Sequence, residues 1–201
     1  MTDIFNPDEF KGGEAAYAPE RLQMIGQVTS DWSLVEQNLE MALWKLVGIK
    51  GELGVCFTTD LGSVARVTIA KNLLNRFHKH QPYYDRLMLM LSLFDECRQA
   101  RNTIAHSILV AGPETYATFT KTMKSGRGNI YVRIGLADEE IQVCSNAVGW
   151  LLCEINDAHR VLEGEPAPSH DQDFLPVFEE LLRKLRQARQ GSDLLHEPTV
   201  E

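Results

Sequence analysis

Apolar residues recur through the first third of the chain at Leu22, Ile25, Val28, Trp32, Val35, Leu39, Leu43 and Leu46, with no proline inside the series. That spacing of three and four places every member on one stripe of an α-helix and cannot serve a strand, whose faces alternate every second residue. Pro19 and Glu20 suit a first helical turn, where a missing N–H costs nothing and an acid meets the positive end of the dipole. Gly48 and Gly51 are expected to end this helix. An amphipathic helix of that length must bury its stripe against other helices or a sheet, so the rest of the chain has to supply the complementary faces.

Three further segments carry the same period. After GELGVCFTTD, expected as a connection, Thr59 or Asp60 can cap a helix with Val64, Val67, Ala70, Leu74 and Phe77 on its apolar face, ending at HKHQP. A third helix is expected from about Tyr83 to Leu109 on Leu87, Met90, Leu93, Phe94, Cys97, Ile104 and Ile108, until Gly112-Pro113 stops it. Asp138 opens a fourth, with Ile141, Val148, Leu152 and Ile155 inward and Gly164 beyond its end. Between the third and fourth, TYATFTKTMKSGRGNIYVRIGL alternates with period two on both sides of Ser-Gly-Arg-Gly, the pattern of a β-hairpin in which Lys124 faces Asn129.

The expected architecture is mainly α: an antiparallel four-helix bundle over residues 19–163, with an inserted β-hairpin at about 115–136 and an additional C-terminal helix. Residues 1–18 read as a flexible arm, 164–173 as a linker, 174–190 as the amphipathic C-terminal helix, and 191–201 as a tail. At 201 residues the chain suits one domain with tails.

Charge and composition narrow the function classes. A formal net charge of -8 argues against a protein that coats nucleic acid electrostatically, although a local cationic site remains compatible with it. No run approaches the roughly 18 consecutive apolar residues of a membrane span, and the first residues lack a basic start and an apolar core, so no membrane and a cytoplasmic location are expected. The four cysteines, Cys56, Cys97, Cys144 and Cys153, form no CxxC pair and read as reduced, buried thiols.

The costly side chains cluster in ECRQARNTIAHSIL, Glu96 to Leu109. On a continuous helix Arg98, Asn102 and His106 fall on one polar stripe with Asp95, whereas Arg101 falls among Cys97, Ile104 and Ile108, where a guanidinium needs an acid, a phosphate or water. Glu36 on the first helix is an available acid. A histidine near its ordinary pKa of about 6.5 can take a proton from a ribose 2'-hydroxyl or return one to a leaving oxygen. An arginine can hold the phosphate's developing charge and an asparagine can orient either, with no metal or cofactor. Such a cut requires RNA, because DNA lacks the attacking hydroxyl.

R-N-T-I-A-H, Arg101 to His106, resembles the Arg-(four to six residues)-His signature of HEPN domains in its Arg-Asn-x-x-x-His form, and W-S-L-V-E-Q-N-L-E, Trp32 to Glu40, is similar to the first helix of many HEPN-like proteins. The resemblance spans roughly residues 20–160 and implies a metal-independent endoribonuclease of toxin or defence type, acting as a homodimer on RNA, with a protein partner such as an antitoxin. It further implies that Arg101 binds the phosphate, Asn102 positions it and His106 transfers protons, with Glu36, Arg98 and Asp95 in support. The hairpin departs from a minimal bundle of that family. The alternative is a non-catalytic HEPN-like helical dimer or binding module for a protein or nucleotide partner, in which the same residues are struts.

Competing motifs are weaker. His78 and His80 alternate at a helix end without further ligands at metal spacing, so a solvated terminus is expected. His159, His170 and His196 read as isolated and exposed. Cys153, Glu154 and His159 lack an elbow or oxyanion loop, and Gly126 to Gly128 lacks the lysine of a phosphate loop. Arg183, Lys184, Arg186 and Arg189 complement a helix C-terminus and can pair with Glu179 and Glu180. Trp32 and Trp44 read as core or interface.

Overall fold

A computed structural model describes residues 18–106, 108–110, 116–125, 128–166 and 175–192, with side chains placed over 18–106, 136–166 and 175–184. The expected arm before Ala18, most of the linker, the tail beyond Ser192, and His170 and His196 lie outside the described residues. The described chain is mainly helical. In chain order it forms α1 (Pro19–Val47), α2 (Gly51–Thr58), α3 (Ser63–Leu73) continued by a π-helical turn (Leu74–His78), and α4 (Tyr84–Ala105). There follow β1 (Ile108–Val110), β2 (Tyr116–Ser125), β3 (Gly128–Ala137), α5 (Asp138–Leu162) and α6 (Leu175–Ser192). Two compact units emerge, one of Met1–Val28, Ala100–Ser145 and Phe174–Glu201, the other of Thr29–Gln99 and Asn146–Asp173.

In the second unit the stripe predicted for α1 is buried at Trp32, Val35, Leu39 and Leu43. Trp32 meets Phe94 of α4 with ring centroids 4.8 Å apart and planes inclined at 44°. Polar contacts fix the flanks: Asn38 Nδ2 donates to Asn156 Oδ1 at 2.8 Å, and Lys71 Nζ donates to Asp95 Oδ2 at 3.3 Å. Both long helices that end here close in the same way. Gly48 and Gly164 take positive φ, 77° and 83°. The N–H of Ile49 then bonds the carbonyl of Trp44 and the N–H of Glu165 that of Arg160, the six-to-one bond of a Schellman cap that only a residue tolerant of the left-handed region allows cheaply.

Sequence and structure diverge after that cap. GELGVCFT is a helix, not a connection, and Gly51 opens it. The reason lies at Gly54, whose missing side chain lets α2 settle on the indole of Trp44: a Cβ there would stand 2.4 Å from Trp44 Cδ2. Thr58 completes the contact by accepting from Trp44 Nε1 at 3.1 Å, while its hydroxyl donates to Glu40. The inward face of α2 is thus Gly54 and Thr58, and its apolar side chains face outward, with Leu53 69% exposed. Helix α3 begins later than expected, capped by the backbone of Gly62 instead of Thr59 or Asp60. Val67, Ala70 and Leu74 are buried as the period demands, but Val64 in the first turn is exposed, and Phe77 is exposed because the π turn widens the helix and rotates the residues after Leu74 out of phase.

In the first unit β2 pairs antiparallel with β3, with Lys124 opposite Asn129, and β1 pairs with β2 through Ile108 opposite Thr120. Residues 126 and 127 between the long strands, and which side chains share each face of the sheet, lie outside the described residues. Helix α6 packs against β3. Leu136, Ile141, Cys144, Phe178 and Leu181 form the local core. Arg21, 1% exposed, is buried against Asp138 through Nε–Oδ1 at 2.6 Å and Nη2–Oδ2 at 3.2 Å, so its charge is paired as burial requires. From the basic cluster on α6, Lys184 Nζ donates to both oxygens of Glu140 at 2.6 and 2.7 Å, whereas Arg183 uses Glu180, one turn back.

Candidate functional site

The last turn of α4 buries Ala100, Thr103 and Ile104 and leaves Arg101 and Asn102 half-buried on its flank. The expected continuation to Leu109 does not occur: the helix stops at Ala105, the His106 N–H still reaches the Asn102 carbonyl at 3.2 Å, and Ile108–Val110 enters the sheet. β-Branched Ile108 and Val110 suit that strand. This early stop decides the site's geometry. On an unbroken helix, residues five apart lie about 140° apart around the axis and do not meet. The bend at His106 brings its ring back, and Arg101 Nη1 lies 2.9 Å from His106 Nε2.

The same Nη1 donates to Asn102 Oδ1 at 3.1 Å. A guanidinium has donors only, so the bonded Nε2 acts as acceptor and the proton of the neutral ring sits on Nδ1. Arg101 Nε is buried and makes no hydrogen bond, and no carboxylate among the described residues lies within ion-pair distance of this guanidinium. His106 is exposed. The trio therefore combines a guanidinium without a carboxylate partner among the described residues, an imidazole and an amide.

The three supporting residues are engaged elsewhere. Glu36 accepts from Ser63 Oγ at 2.5 Å. Asp95 lies 3.3 Å from Lys71 Nζ and 3.8 Å from Arg98 Nε. Arg98 and Asp95 thus form their own ion pair, and the stripe drawn through Asp95, Arg98, Asn102 and His106 on a continuous helix is broken by the bend.

Other expectations are corrected. Cys97 and Cys144 are buried, but Cys56 and Cys153 are exposed, and all four are free thiols. His159 is half-buried and not exposed: both ring nitrogens are inaccessible, and neither is hydrogen-bonded to Cys153. Burial chiefly, and the nearby Lys45 ammonium, push the His159 pKa down, while Glu163 and the Asn38 backbone act the other way. His78 Nδ1 lies 2.8 Å from the Tyr83 hydroxyl. Among the described residues no three His, Cys, Asp or Glu side chains converge as metal ligands, and no single helix is long and apolar enough to cross a membrane.

Two features of the second unit escaped sequence reasoning. Glu154, 4% exposed, takes a bidentate bond from Arg86, with Nε–Oε2 at 2.6 Å and Nη2–Oε1 at 3.0 Å, and Asp157 stands 3.7 Å from the same guanidinium. Beside it lies an open cleft of about 410 Å³ between the start of α4 and the end of α5, lined by Pro82, Tyr83, Arg86, Val161 and Pro166 among others. The partners of Arg86 lie 68 and more positions away, a separation that no local pattern announces. No protein-family model, curated protein or solved structure matches this chain.

Proposed function

We propose that the chain is a metal-independent endoribonuclease of HEPN type, built on an antiparallel four-helix bundle with an inserted hairpin and acting as a homodimer. The observation that carries this reading is the pairing of Arg101 Nη1 with His106 Nε2 at 2.9 Å, by a guanidinium that has no carboxylate partner among the described residues. Such a guanidinium beside an imidazole is what transesterification of a ribose phosphodiester needs: charge for the phosphorane and a nitrogen to accept the 2'-hydroxyl proton. Arg101 binds phosphate, Asn102 orients the guanidinium and His106 exchanges protons. A toxin or defence role, with an antitoxin-like protein partner, accompanies the family resemblance. The competing reading is a non-catalytic module for a protein or nucleotide partner. It is favoured by the fact that the nitrogen which would move protons is itself bonded to Arg101.

The test is incubation of the purified chain with a mixed RNA pool in EDTA, beside Arg101→Ala and His106→Ala, with mapping of the cut ends. Cleavage leaving 2',3'-cyclic phosphates, lost in both variants while their unfolding midpoints stay near that of the wild type, is expected. Wild-type protein that leaves the pool intact refutes the nuclease and favours the binding module.

A further inference from the structure

We propose that the Arg101–His106 bond is a mask on the site, removed when an oxyanion claims the guanidinium; this rests on the nuclease reading for its purpose. Arg101 spends one nitrogen, Nη1, on two neutral acceptors, Asn102 Oδ1 at 3.1 Å and His106 Nε2 at 2.9 Å. Its charge has no carboxylate to answer it among the described residues, and its buried Nε makes no hydrogen bond. Two neutral acceptors leave the guanidinium charge unanswered, whereas a phosphate supplies the opposite charge and engages guanidinium edges bidentately. Because Nε is buried, the edge left to a phosphodiester is Nη1–Nη2, and taking it bidentately competes for the donor that now holds the imidazole.

The consequence falls on His106. While Nε2 accepts from Arg101, its lone pair is unavailable to a ribose hydroxyl. Once the guanidinium turns to the phosphate, Nε2 is released beside the bound anion, so the base becomes free only where a phosphate is present. The exchange breaks one hydrogen bond and forms others, with no covalent step. Asn102 acts as a positioning residue, because its amide oxygen holds the guanidinium on the histidine side of the helix end.

The experiment follows the ring nitrogens of His106 by nitrogen-15 NMR in the full chain, at a pH where the imidazole is neutral, during titration with inorganic phosphate against chloride at constant ionic strength. Wild type is expected to show a saturable shift of the Nε2 resonance toward that of an unbonded imidazole nitrogen. Arg101→Gln, which removes the charge and leaves a shorter, neutral polar side chain, is expected to show no saturable shift. A wild-type resonance indifferent to phosphate, or an equal response in Arg101→Gln, overturns the mask. The outcome is separable from the RNA assay: cleavage without a phosphate response refutes the mask alone, whereas a phosphate response without cleavage refutes the nuclease reading and leaves an anion-gated histidine.

Discussion

Replacing Gly54 by alanine is expected to destabilise the protein, although alanine is the better helix former. A Cβ at this position would stand 2.4 Å from Trp44 Cδ2 and 2.7 Å from Cε2 and Cγ, about 1 Å inside the ordinary separation of carbon atoms. The added atom is fixed to the backbone and the indole is anchored through Nε1 to Thr58, so neither can yield by a rotamer change. Overpacking of this kind costs about 1–3 kcal/mol, against which alanine recovers about 0.5–1 kcal/mol of helix propensity. Displacing α2 also strains the bonds of Thr58 to Trp44 and Glu40, each worth about 1 kcal/mol. The net expectation is a loss of about 1–2 kcal/mol, or a Tm lower by about 2–4 °C per kcal/mol for a chain of this size. Gly26 and Gly149, which also lie inside helices, have nothing within 4 Å of an added Cβ, so Gly26→Ala and Gly149→Ala should stabilise by about 0.5–1 kcal/mol. Chemical denaturation of the three variants gives the comparison, and a Trp44→Leu background should abolish the penalty at position 54 by coupling. If Gly54→Ala proves as stable as Gly149→Ala, the close approach of α2 to Trp44 is wrong.

Lowering the pH should weaken the protein through His159. Its folded pKa lies below the unfolded value of about 6.5, so between the two the unfolded chain binds more protons; the stability it contributes is full above 6.5 and is lost as pH falls through the folded pKa. His159→Gln should flatten that part of the stability-versus-pH curve measured in urea, and an unchanged slope would mean that His159 carries none of it. Arg86→Met should cost about 3 kcal/mol or more by leaving buried Glu154 facing only apolar replacement, and should exceed Glu154→Gln, because Arg86 is 28% exposed and water can screen it. Equal unfolding midpoints for the two would contradict that asymmetry.

The long helices were legible because their signals are local: the stripe of α1, Pro19 and Gly48 at its ends, Asp138 opening α5 and Gly164 closing it. Gly51 misled because a glycine cluster serves equally to stop one helix and to let the next lie close; choosing between them requires knowing that Trp44 faces Gly54. The π turn at Leu74–His78 has no marker in hydrophobic period and becomes visible only through exposed Phe77. At the candidate site the residue types were legible and their arrangement was not. A helical projection separates Arg101 from His106, and only the stop at Ala105 joins them. Long-range ion pairs such as Arg21–Asp138, 117 positions apart, depend on packing that no short window contains.

The uneven exposure of the four thiols turns the unmodified chain into its own clock. Cys56 and Cys153 are open to a maleimide at once, whereas Cys97 is enclosed and Cys144 has its pKa pushed up to about 12 by burial, leaving almost no thiolate at neutral pH. Two labels should therefore add rapidly and two should wait for the interior to breathe. Because Cys97 and Cys144 belong to different units, the order in which their masses rise by one adduct tells which unit comes apart first.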